Sequence, residues 1–98
     1  MEMMINLDEL KTKAIWLKCD GTVDYIEPDK SGVINLEQLQ EAVGGYVEIC
    51  PQNTVKNAYL FVDEEGLLKH KRLNLLCKKM FGFDIVGDAL LVSDKMVR

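Results

Sequence analysis

NLEQLQEAVGGYVEICP, residues 35–51, is the stretch whose reading decides the fold. Asn35 can accept a backbone N–H of a first helical turn through its side-chain oxygen, and Gln38, three residues on, completes a capping box. Ile34 before the cap and Leu39 after it fit a hydrophobic staple. Leu36, Leu39 and Val43 recur at i, i+3 and i+7, so one apolar stripe faces a core while Glu37, Gln40 and Glu41 face water. Gly44 or Gly45 can take the left-handed conformation that stops a helix without Cβ strain. From Tyr46 the period changes to two: Val47 and Ile49 point one way, and Tyr46, Glu48 and Cys50 the other. Pro51 has no N–H for a ladder and closes the strand.

Upstream of this unit, Thr12 to Lys18 reads as a strand, with Thr12, Ala14, Trp16 and Lys18 on one face and Lys13, Ile15 and Leu17 on the other. Asp20-Gly21 is a turn signal, and Val23 to Glu27 returns as the second strand of a hairpin. Residues 1–11 form an N-terminal extension, either frayed or making one helical turn on Leu7 and Leu10. Downstream, Gln52 to Lys56 is a polar loop, Asn57 to Val62 an apolar strand, and Asp63-Glu64-Glu65-Gly66 a turn. Leu67 to Lys69 reads as a short returning strand. Leu73, Leu76, Cys77 and Met80 recur at helical spacing, with Asn74 near the start and Gly82 at the stop. Asp84 to Ser93 is the last strand, apolar enough to be central or covered on both faces, with a bulge or bend at Gly87-Asp88.

The order β-β-α-β-β-α-β predicts an α+β domain over residues 12–98, a mostly antiparallel sheet of five to six strands with two helices. A partly closed barrel is the alternative if Gly87 bends the last strand. Ninety-eight residues suffice for one domain with a thin core. A net charge of −4 argues against general nucleic-acid binding and against an anionic membrane partner. The three cysteines, Cys19, Cys50 and Cys77, form no C-x-x-C pair, so neither a structural metal site nor a redox motif is expected. No export signal or membrane span is recognisable, and reduced thiols fit a cytoplasmic protein.

No catalytic motif is present. Asp63, Glu64 and Glu65 read most simply as a solvated turn, since adjacent carboxylates need not converge and no calcium-loop spacing surrounds them. His70, the sole histidine, has no recognisable nucleophile motif beside it. Cys50 and Cys77 read as buried thiols and Cys19 as the most exposed of the three. The basic run Lys69, His70, Lys71 and Arg72 precedes the second helix. It reads either as a solvated face or as a cradle for a phosphate-bearing ligand, with Tyr46 or Tyr59 as a stacking surface.

LQEAVGGYVEICP, LFVDEEGLLK, Asn74 and DIVGDALLV, in that order, resemble a family of small uncharacterised domains common in bacteriophages, prophages and plasmid-like elements. The matching positions are Gly44, Gly45, Tyr46 and Glu48; Glu64, Glu65, Gly66 and Leu68; Asn74; and Asp84, Gly87 and Asp88. The resemblance implies a mobile-element context rather than a mechanism. From it we expect a non-enzymatic protein of the bacterial host cytoplasm, without cofactor or metal, assembled as a homo-oligomer. It would sequester a small nucleotide-type immune signal through Tyr46, Glu48, Lys69, His70, Lys71, Arg72 and Asn74. The alternative is an acidic inhibitor that binds a host defence or replication enzyme.

Overall fold

The computed structural model describes residues 5–97. Five strands, β1 (Ala14–Leu17), β2 (Val23–Ile26), β3 (Val47–Ile49), β4 (Ala58–Asp63) and β5 (Ala89–Ser93), form one sheet, with helices α1 (Leu36–Val43) and α2 (Leu75–Phe81). The spatial order is β2-β1-β5-β4-β3, and every neighbouring pair is antiparallel. The sheet stays open, with β2 and β3 as its edges, so the α+β reading stands and the barrel alternative does not.

The helix of the opening stretch forms as its caps dictate. Asn35 accepts from Gln38 N–H at 2.9 Å, Gln38 Oε1 accepts from Asn35 N–H at 2.9 Å, and Gly44 ends the helix at φ 80°. The buried stripe is Leu39, Ala42 and Val43, whereas Leu36 is 60% exposed, a correction to the expected face. Ile34 is the residue buried at the helix entry instead, its N–H donating to Met96 O at 2.9 Å.

Period-two burial divides the core by the two faces of the sheet. Ala14, Phe61, Leu90 and Val92 pack with Ile34, Leu39, Ala42 and Val43 of the α1 side. Ile15, Leu17, Leu60, Val62, Ala89 and Leu91 pack with Cys77 and Ile85 of the α2 side. Strand β5 is therefore covered on both faces, as its unbroken ALLV run predicts.

Several strand ends move by a residue, and four differences from expectation are larger or structural. β1 starts at Ala14 rather than Thr12. Leu67–Lys69 is turn, not strand, and Leu67 and Leu68 are both 79% exposed. The last strand starts at Ala89, because Gly87 at φ 83° turns the chain and leaves Val86 only an isolated bridge to Leu73. Leu73 lies outside α2 and is half-exposed, while Leu76, Cys77 and Met80 carry the packed face. Residues Leu7–Lys11 form a single 3-10 turn with Leu10 buried; the first four residues of the expected extension lie outside the described residues.

Candidate functional site

Antiparallel pairing places the ends of β1 and β4 and the starts of β2, β3 and β5 at one end of the sheet. The C-terminus of α1 points to the same end. The loop 64–74, which carries the basic run, crosses it.

Two of the basic side chains turn inward there. Lys69 Nζ donates to Asp63 Oδ2 at 3.0 Å and to Gly44 O at 3.3 Å. Lys71 Nζ pairs with the same Asp63 oxygen and donates to Val43 O at 2.7 Å. Both ammonium groups thus sit on the last carbonyls of α1, where the helix dipole favours positive charge. Asp63 is buried, not the solvated turn residue expected, and also accepts from Glu65 N–H at 2.8 Å. Burial raises its carboxyl, but the Lys71, Glu65 and Lys69 donors outweigh it and hold the carboxyl down at about 2. The network explains the second glycine of the pair: a Cβ on Gly45 would collide with the Lys69 ammonium and sit 2.9 Å from the Asp63 carboxylate.

Asn74 is fully buried and belongs to the framework. Its Nδ2 donates to Leu17 O and Gly87 O, both at 2.9 Å, and its Oδ1 accepts from Cys77 N–H at 3.1 Å, so one side chain ties β1, the β5 approach and α2. Asp88 accepts from Cys19 N–H at 2.8 Å. Burial and the Asp88 carboxylate raise the Cys19 thiol, and burial pushes Cys77 up to about 12, so neither is an activated nucleophile.

The remaining predicted residues stay outward. His70 is exposed at φ 56°, and Arg72 is exposed beside a small cleft of about 300 Å³ with Trp16, Cys19 and Asp88. Trp16 Nε1 donates to Ala42 O at 3.1 Å, and Lys18 Nζ lies 4.1 Å from its ring centroid. Tyr46 is 66% exposed. It lines a shallow depression with Glu37, Gln40, Glu41 and Glu65, and Lys69 reaches it from the other side. Glu48 is exposed on the adjoining edge strand. The structure brings only part of the predicted set together: Tyr46 and Lys69 line one depression among carboxylates, Lys71 and Asn74 are structural partners, and His70, Arg72 and Glu48 lie elsewhere.

A larger cavity, about 910 Å³, opens at the opposite end, over Leu7, Leu10, Val55, Met80 and Met96. Lys11, Lys56 and Lys95 line it together with Asp8 and Asp94, and the three lysines make no ion pair among the described residues. No single motif carries this cavity, so the sequence offered no sign of it. No cluster able to hold a metal ion occurs among the described residues, and no helix there is long and apolar enough to cross a membrane.

The family described as Domain of unknown function (DUF3846) matches residues 14–96. No curated protein and no solved structure matches the chain.

Proposed function

This chain belongs to the family of domains of unknown function DUF3846, and from that starting point we propose that it is a non-enzymatic protein-binding module, engaging a basic partner surface through the acidic face around Tyr46. The observation that carries this is the exposed Tyr46 ring set among Glu37, Glu41 and Glu65, three carboxylates against the single ammonium of Lys69, which Asp63 engages. An exposed tyrosine is a frequent interface anchor, giving large contact area at small entropic cost, and the surrounding carboxylates supply complementarity and steering toward cations. Two lysines of the basic run, Lys69 and Lys71, are engaged by Asp63 and by the last carbonyls of α1. An inhibitor of a host defence or replication enzyme, encoded on a mobile element, works in this way without any chemistry of its own. Such a partner is retained by the wild-type protein at low salt. It is lost at high salt and with the Glu37→Lys/Glu41→Lys variant. Retention unaffected by either change contradicts the reading.

A second reading has its own observation. Lys11, Lys56 and Lys95, without ion pairs among the described residues, outnumber Asp8 and Asp94 around the 910 Å³ cavity and suit a small phosphate-bearing ligand, and the size falls in the usual range for such sites. A sequestered nucleotide-type signal would sit there rather than on the basic run. A thermal-shift panel of cyclic di- and trinucleotides tests it: a rise in Tm that Lys56→Glu/Lys95→Glu abolishes supports it, and a flat panel removes it.

A further inference from the structure

The two edges of the sheet differ in how they treat their outward backbone groups. In β3, Cys50 N–H donates to Leu60 O and Glu64 N–H to Tyr46 O, both at 2.8 Å. With the register Glu48 opposite Val62, alternation turns the backbone of Tyr46, Glu48 and Cys50 toward β4 and that of Val47 and Ile49 outward. Those outward groups have no partner among the described residues. In β2 the same reasoning turns Tyr25 outward, but its N–H donates to the Asp24 carboxylate at 2.8 Å, which blunts that edge.

The open edge borders a groove of about 570 Å³ on the α2 side of the sheet. Val62 and Ile85 give it an apolar floor and the exposed Leu67 and Leu68 an apolar flank, and every charged residue lining it is acidic, with Glu48 and Glu64 open and Asp84 paired with Lys78 at 3.1 Å. On the other face of the strand, Ile49 is 49% exposed.

We infer that the free edge of β3 takes up an extended, basic segment of a partner protein as an added strand. This rests on the protein-binding reading above and specifies its geometry. The incoming strand exchanges hydrogen bonds with Val47 and Ile49, covers Ile49 with an apolar side chain, and sets a Lys or Arg opposite Glu48. Its long aliphatic stem lies over the groove floor while its charge meets the acidic rim. A second copy of this chain is a poor occupant: antiparallel pairing of β3 with itself through Val47 and Ile49 puts Glu48 directly opposite Glu48 of the copy, and like charges there oppose association.

The test is a titration of the ¹⁵N-labelled full chain with the capped peptide Thr-Arg-Val-Arg-Val-Arg-Thr, and with the same peptide N-methylated at both valines. The expected result is a shift and slowed exchange at the Val47 and Ile49 amides, none at Tyr25, and binding weaker by about tenfold or more for the methylated peptide, which lacks two ladder donors. Ile49→Pro, which a strand tolerates where the N–H faces outward, keeps the fold by its amide spectrum and loses the peptide. Equal binding of the two peptides, or shifts confined to Tyr46 and Glu41, overturns strand addition while leaving the acidic-face reading intact. No binding at millimolar peptide by folded protein also overturns it. The protein-binding reading then falls or stands separately, on the salt and charge-reversal test.

Discussion

Asp63 shows how one residue can be read correctly for type and wrongly for place. A carboxylate before Glu-Glu-Gly suggests a wet turn, yet this one is buried beneath two lysines. Its carboxyl is held at about 2 against an ordinary 3.8, so its stabilisation is complete above the unfolded value and is lost as pH falls from about 4 to about 2. The shift corresponds to about 2 kcal/mol. Asp29 is also lowered to about 2, by Ser31, Val33 and Asn35, and titrates in the same window. Asp63→Asn separates the two: urea unfolding should show a loss of about 2–4 kcal/mol at pH 7 and a flatter decline in acid. Asn74→Ala should cost about 2–3 kcal/mol by the same measurement, since it leaves Leu17 O and Gly87 O short of a buried donor and uncaps α2. Neither substitution should alter partner binding by more than its effect on the folded fraction.

Among the elements, α1 was legible in full at its ends because caps are local: Asn35, Gln38 and Gly44 need only their near neighbours. The hairpin and the two-sided burial of β5 were legible for the same reason, from Asp20-Gly21 and from ALLV. The loop 64–74 was not. Lys69 and Lys71 find their partners on α1 and β4, 25 and 28 residues away in the case of Gly44 and Val43, and no local pattern reports that meeting. One signal was present: Gly44 alone takes the left-handed turn, and Gly45 gives the cap only its N–H, which any residue but proline could supply, so the second glycine marked a close approach. Gly45→Ala should therefore destabilise, and the penalty should shrink in a Lys69→Ala background. A double-mutant cycle by thermal unfolding checks this, with a coupling of about 1 kcal/mol expected. At the open edge, hydrogen exchange should find the Val47 and Ile49 amides faster than those of Glu48 and Cys50 in the free protein.

For the whole molecule, the local arrangement of charge matters more than its sum. The depression at Tyr46 is lined by Glu37, Glu41 and Glu65 with Lys69 as its cation, whereas the cavity at the far end carries Lys11, Lys56 and Lys95 beside Asp8 and Asp94. Composition gave the net sign but not this division, which depends on where the antiparallel order places each loop. A photo-crosslinking residue at Tyr46, compared with one at Lys56, in protein expressed in the organism that encodes it, tests the central claim most directly. A protein adduct is expected at position 46 that disappears with Glu37→Lys/Glu41→Lys, with none at position 56. Adducts to a small phosphate-bearing molecule at position 56, with none to protein at position 46, would contradict that claim.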